Sequence, residues 1–241
     1  SREYVAATTG IYAAATRALE RLTEAQASPE RGRAVVLDID ETVLDNVAYQ
    51  AQLVLDDATY ASDSWDAWIA LRAADAVPGV VDFVSRAQSL GFHVAFITNR
   101  ACRDREGTSR ACPQHGDTLT NLEAIGIDTS ETTLMLRGER PPPPCQPLLI
   151  EEEQAAGVWS SDKESRRACV EVERDIVMLF GDQLGDFTSS EQGADGATGR
   201  DAVASAESPW GTRWFMLPNP TYGDWKPRSS TEKRSLLRGL D

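Results

Sequence analysis

Lysine is nearly absent from this 241-residue chain: Lys163, Lys226 and Lys233 are the whole supply, and arginine carries almost all the basic charge. Beside the default of compositional chance, a lysine in such a chain can mark a place where the broad, planar guanidinium of arginine would not serve. Histidine is scarcer still, with two residues, and none of the four cysteines forms a C-x-x-C, which argues against a zinc site. No apolar run is long enough to span a bilayer. No signal peptide is visible either, so the expectation is a mature form whose targeting segment has been removed. Positive charge as a whole is in deficit: 38 acidic residues against 24 basic ones give a net charge of −14. That balance disfavours nucleic-acid polymers and anionic membrane surfaces as partners. An anionic substrate would need a local positive field, from a metal, a few cations and backbone N–H groups.

What is present centres on Ala34-Val35-Val36-Leu37-Asp38-Ile39-Asp40, an apolar run ending in two aspartates. The run reads as a strand buried on both faces, as in the parallel sheet of an α/β fold. Open α/β sheets bind ligands beyond the carboxyl ends of their strands, where Asp38 and Asp40 fall. Two carboxylates so close repel each other and invite a cation. One can then be a nucleophile and the other a proton shuttle.

Along the rest of the chain, residues 2–25 carry apolar side chains at helical spacing, and 46–77 are helical again. Residues 1–33 and 46–77 are grouped as a small helical subdomain over the site, beside an α/β core of 34–45 and 78–241. Pro78-Gly79 opens a helix, Phe92 to Thr98 is the second strand, and 101–117 reads as a loop before a helix from Leu119 to Ile125. Thr133 to Leu136 is the third strand. Gly138 to Ser160, with four consecutive prolines, reads as an extended surface insertion. Asp162 caps a helix with Lys163 in its first turn, Ile176 to Phe180 is the fourth strand, and Trp214 to Leu217 the fifth. A polar loop over 188–209 and a closing helix from Lys233 to Leu240 complete the expectation. Cys102, Cys112, Cys145 and Cys169 are read as disulfides of an exported protein, Cys102–Cys112 closing a small loop and leaving Cys145–Cys169.

A parallel sheet brings Asp38/Asp40, Thr98, Lys163 and Asp182/Asp186 to one edge, and phosphoryl transfer needs this set of parts. Asp38 and Asp182, with the Asp40 carbonyl, would ligate Mg²⁺, and Asp186 would hold a metal-bound water. Thr98 and nearby N–H groups would take phosphate oxygens, Lys163 would neutralise charge, and Asp40 would move the proton.

Asp38-Ile39-Asp40-Glu41-Thr42-Val43-Leu44-Asp45, Thr98-Asn99-Arg100, Lys163 and Gly181-Asp182-Gln183-Leu184-Gly185-Asp186-Phe187 resemble the four motifs of the haloacid dehalogenase superfamily. The paired aspartates are similar to its acid phosphatase branch, nearest the class C acid phosphatases, the bacterial lipoprotein acid phosphatase and 5′-nucleotidase group. Trp65-Asp66-Ala67-Trp68, Ala76-Val77-Pro78-Gly79 and Pro218-Asn219-Pro220-Thr221-Tyr222-Gly223 extend the likeness. The resemblance implies a Rossmann-like core with a helical subdomain, Mg²⁺ dependence, and hydrolysis of nucleoside monophosphates or aryl phosphates outside the cytoplasm. It puts the nucleophile on Asp38, the acid/base on Asp40, metal ligands on Asp38, Asp40 and Asp182 with Asp186 in support, and phosphate contacts on Thr98, Asn99 and Lys163. By position, Trp65 and Tyr222 would hold an aromatic leaving group. A homodimer is allowed, and membrane attachment only through a lipid anchor ahead of this chain. Two departures stand out: the long proline-containing stretch before Lys163 and the cysteine-bearing segment 101–117. Other readings are a dehalogenase, a phospho-accepting switch, or a storage protein on the same fold.

Overall fold

Strand β1, Gly32–Leu37, shows why the chain folds around its middle. Val35 and Leu37 enter one apolar cluster, with Tyr12, Phe83 and Phe180, while Ala34 and Val36 enter another, with Cys145, Leu149 and Trp159. Successive side chains on a strand point to opposite faces, so an unbroken apolar run suits a strand covered on both sides. The computed structural model describes residues 1–25, 31–188, 209–219 and 221–223.

In chain order, α1 (Arg2–Ala25) precedes β1, and β2 (Leu44–Asp45), α2 (Val47–Leu55), α3 (Ser62–Leu71) and β3 (Asp75–Ala76) follow it. Then come α4 (Val80–Ser89), β4 (His93–Ala101), α5 (Pro113–Ala124), β5 (Thr132–Arg137), α6 (Glu151–Ala156), α7 (Glu164–Glu171), β6 (Arg174–Gly181) and β7 (Trp214–Met216). Five strands form one parallel sheet in the order β5-β4-β1-β6-β7. The chain winds outward from β1 through β4 to β5, then returns to lay β6 and β7 on the other side. The order therefore reverses between β1 and β6, opening a crevice at their carboxyl ends.

Several expectations need correcting. Helix α1 does not join the residues 46–77 in a separate layer; it packs on α4 and β7, with Tyr12, Ala15 and Leu19 in the main core. The Tyr12 hydroxyl donates to the Thr42 carbonyl at 2.7 Å, bracing the turn after β1. The excursion over α2 and α3 is tied at its base by the antiparallel pair β2–β3. Helix α5 starts earlier than Leu119, with Pro113 at its first position, where a missing N–H costs nothing. The proline-containing stretch is packed, not extended over the surface. It forms a 3₁₀ turn, Pro143–Leu148, and α6, and it buries Cys145, Leu149 and Trp159 against the second face of the sheet. Disulfides join Cys102 to Cys112 and Cys145 to Cys169, with Cα atoms 4.6 and 5.1 Å apart. Lys163 is itself the cap residue of α7, and Asp162 accepts the Glu164 N–H at 2.7 Å. The expected closing helix from Lys233 and most of the expected loop over 188–209 lie outside the described residues.

The helical excursion is held to the core through Asp66 of α3. Arg105 grips it with two N–H groups at 2.7 and 2.8 Å, and Gln114 adds a third donor at 2.7 Å. The Arg105 hydrogen bonds, against the opposing cost of burial, hold the Asp66 carboxyl below its usual range. A carboxyl lowered on folding stabilises the fold above its unfolded pKa, about 4, and loses that contribution only as pH falls through the lowered folded value. Asp66→Asn is therefore expected to cost about 1–2 kcal/mol, equally at pH 5 and pH 7, with the difference vanishing only in stronger acid. Thermal unfolding of both proteins across pH checks this.

Candidate active site

Asp38 follows β1 directly, and its N–H donates to the Phe180 carbonyl of β6 at 3.0 Å, so the sheet fixes where the carboxylate emerges. Lys163 donates to Asp38 and, at 2.5 Å, to Asp186. Asp182 leaves the end of β6, and one oxygen from each of Asp38, Asp182 and Asp186 lies within 4.8 Å of the other two. The second Asp186 oxygen accepts the N–H groups of Asp182 and Gln183 at 3.1 and 2.9 Å. A side chain at Gly181 would collide with Asp186, so glycine there lets Asp186 fold back over the strand end. Asp182 accepts from Gln183 Nε2 at 2.8 Å and from Asn219 Nδ2 at 2.7 Å.

Three buried carboxylates crowd together here, and Lys163 is bonded to two of them. Burial pushes Asp38 well above the usual carboxylate range; Lys163 opposes the shift, while Asp186, Asp182 and Asp40 add to it. Burial and the neighbouring Asp186 likewise push Asp182 up to about 7. Burial works against the Lys163 ammonium, but Asp186 and Asp38 outweigh it and hold the group above its ordinary value. Oxygen-only donors in a crowded, water-poor cluster suit a hard divalent cation such as Mg²⁺, and the residues present fit one.

Asp40 is held separately. Arg100, itself buried, donates to its Oδ1 at 2.8 and 3.1 Å and to its Oδ2 at 3.2 Å, and Asn46 Nδ2 donates to Oδ1 at 3.0 Å. The Asp40 side chain is thus turned from the three-carboxylate cluster toward Arg100. Trp68 Nε1 donates to the Asn46 amide oxygen at 2.8 Å, which fixes the orientation of that amide. Behind Asp40 lies Glu41, whose carboxylate accepts the Asn46 N–H at 3.1 Å and the Tyr222 hydroxyl. Burial, with the charge of Asp40 beside it, pushes Glu41 up to about 8.

These residues floor a cavity of about 780 Å³. Asp38, Asp40, Asn99, Lys163, Asp182, Asp186, Trp65 and Tyr222 all line it. Thr98 does not; it is fully buried, and its hydroxyl accepts the Arg100 N–H at 3.1 Å, turned back along the strand end. The Asn99 side chain is set by Arg166, which donates to its Oδ1 at 2.7 Å, and by its own Nδ2 donating to the Ser161 carbonyl at 2.9 Å. Burial lowers the Arg166 guanidinium to about 10.

Arg100, Glu41, Asn46, Arg166 and Asn219 hold the site together without carrying a role legible in the sequence. Arg100, Glu41, Asn46 and Asn219 stand inside or next to the quoted motifs, so their position was visible and their partners were not. Arg166, three residues after Lys163 on the same helix, carried the spacing of a helix face as its only signal.

Comparison with known proteins bears on this geometry. The family described as HAD superfamily, subfamily IIIB (Acid phosphatase), matches residues 2–225. Two curated relatives from Glycine max, the Stem 28 kDa glycoprotein and the Stem 31 kDa glycoprotein, are each 25% identical, over 78% and 77% of this chain. The chain spans only 58% and 50% of their lengths. The structure of the class C acid phosphatase from Bacillus anthracis is 28% identical, with a TM-score of 0.70 over 99% of this chain and 92% of that one. The same enzyme with tungstate bound superposes with a TM-score of 0.69. Matched over nearly all its length and sharing the fold, this chain belongs to the HAD superfamily, subfamily IIIB, the acid phosphatases.

Proposed function

We propose that the protein is a Mg²⁺-dependent acid phosphatase that hydrolyses small phosphomonoesters through an aspartyl-phosphate on Asp38. The observation that carries this reading is the pairing of Asp38 with Lys163 beside Asp182 and Asp186, all open to one cavity, with Asp40 held apart by Arg100 and Asn46. The similarity to an enzyme whose structure holds tungstate, a tetrahedral oxyanion, supports binding of a phosphate-like group.

Asp38 attacks phosphorus, and the bond to the alcohol oxygen breaks while Asp40 gives that oxygen its proton. Asp40 then takes a proton from the water that attacks the aspartyl-phosphate, which returns Asp38 and releases phosphate. Asn99 and Lys163 hold the phosphate oxygens; Thr98 acts from behind them, through the strand end. Asp38 and Asp182, with the Asp40 carbonyl and support from Asp186, would hold the Mg²⁺, which offsets the repulsion between two anions. Trp65 and Tyr222 flank the leaving group, so nucleoside monophosphates and aryl phosphates are the expected substrates. Two disulfides support an extracytoplasmic setting.

Purified protein with phenyl phosphate and Mg²⁺ is expected to release phosphate, with activity falling to background in EDTA and returning with Mg²⁺. No turnover at any acid to neutral pH would remove the proposal. Asp40→Asn is expected to slow kcat by about 10²–10⁴-fold, the usual loss when a general acid–base group goes. Trapping of phosphoenzyme under single-turnover conditions separates the two half-reactions.

A further inference from the structure

Helix α2 is apolar at every position but Gln50 and Gln52, yet Tyr49 is its one buried residue. A helix apolar on all sides is ordinarily enclosed by protein. Here Val54 and Leu55 are 81% and 80% exposed, and Tyr60, on the turn toward α3, is 60% exposed. Part of this apolar surface, Leu55 aside, faces the catalytic cavity. Leu53, Val54, Ala58, Tyr60 and Trp65 make up one wall of it, continuous with the floor that carries Asp38. Contiguous exposed apolar surface joined to a pocket of this volume marks a place where something apolar is bound.

The charges define the other half of the ligand. Arg100 and Lys163 are the cations lining the cavity among the described residues, and both are already bonded to aspartates. Among the described residues no third cation lines the cavity to take a second phosphate or a carboxylate. Arg103, beside the start of α3, is already bonded to Asp63 and the Ser62 carbonyl, and the protein as a whole is strongly acidic.

Resting on the phosphatase reading above, we infer that this site takes amphiphilic phosphomonoesters, a single phosphate on an uncharged alcohol with a flexible apolar chain, and that the chain lies along Leu53, Val54, Ala58 and Tyr60. The phosphate enters the polar floor, and the tail covers the α2–α3 wall. An acyclic tail suits this wall because Leu53, Val54, Ala58 and Tyr60 form a strip along a helix and turn. Trp65, at the end of the wall beside Arg100, and Tyr222, bonded to Glu41, form the aromatic flank nearer the floor.

The test is a series of n-alkyl phosphates from methyl to octyl, below their micelle-forming concentrations. The leaving alcohols differ little in chemistry, so a trend in kcat/KM reports on the tail. It is expected to rise about two- to fourfold per methylene until the chain outgrows the wall, the upper figure being that of complete burial. In Leu53→Asn and Val54→Asn the octyl-to-methyl ratio, taken within each variant, is expected to collapse toward that of a flat series. Calorimetric binding of octylphosphonate against methylphosphonate gives the same comparison without turnover. A flat series and equal phosphonate affinities in a protein that does hydrolyse phenyl phosphate would overturn this inference and leave the phosphatase reading standing. Absence of turnover with a retained preference for octylphosphonate would do the reverse. A flat series in which Val54→Asn converts a dimer to a monomer in sedimentation would assign the wall to a second copy of the chain and also overturn it.

Discussion

Asp38→Asn is expected to abolish phosphate release, by about 10⁴-fold or more, while raising the thermal stability of the metal-free protein. The first effect follows from removing the attacking oxygen; a group that forms the covalent bond is not replaced by binding or by neighbouring charges. The second follows from the charge count at the site. Asp38 and Asp186 share Lys163 with Asp182 beside them, and burial with mutual repulsion has already pushed Asp38 and Asp182 upward. Replacing one carboxylate by an amide of the same shape relieves that repulsion and leaves Lys163 bonded to Asp186. A gain of about 1 kcal/mol, roughly 2–4 °C for a chain of this length, is expected in EDTA. Saturating Mg²⁺ should reverse the order, because the native cluster binds the cation more tightly and is stabilised by the linkage. Thermal unfolding with and without Mg²⁺, beside a phenyl phosphate assay, reads both. Activity near the native level would end the covalent mechanism, and a lower unfolding temperature in EDTA would end the electrostatic account.

Lys163→Met has the largest expected effect on the fold. The ammonium is enclosed and bonded to two buried carboxylates, and without it Asp38 and Asp186 lose the cation they share, with Asp182 beside them. Removing one partner of a buried ion pair leaves an uncompensated charge and typically costs about 3–5 kcal/mol. At this chain length that is roughly 6–20 °C, together with loss of turnover. Lys163→Arg should not restore either property. The guanidinium is a broad planar fork, and the space between Asp38 and Asp186 is shaped for a compact ammonium. Mg²⁺ should recover part of the lost stability in Lys163→Met by supplying the missing positive charge. An unfolding temperature unchanged by Lys163→Met would show that the cluster is far wetter than its burial implies.

The strands were readable because local pattern decides them. An apolar run such as Ala34 to Leu37 is long enough for one buried strand and too short for a helix, and Asp38 at its end marks the ligand edge. The α7 lysine was readable for a similar reason: it is the lone lysine between the third and fourth strands, and the motif order demanded a cation there. Residues 138–160 were misread because four prolines describe backbone geometry and say nothing of what the side chains touch. Cys145, Leu149 and Trp159 are ordinary loop residues until the second face of the sheet covers them. Nor does an apolar stripe such as that of α1 name its partner, and only the packing places it against α4 and β7.

By itself the sequence determined the five strands of the main sheet in chain order, the aspartates that follow two of them and the lysine ahead of α7, and through these the chemistry proposed for the site. Only the tertiary structure decided which side chains hold those groups in place: Arg100 and Asn46 on Asp40, Arg166 on Asn99, Glu41 between Asn46 and Tyr222. It also decided that Thr98 turns away and that the apolar side chains of α2 stay in the open beside the cavity. Periodicity and spacing are local properties that one stretch of chain carries alone, whereas a hydrogen-bond partner is chosen among residues that meet only after the sheet has closed.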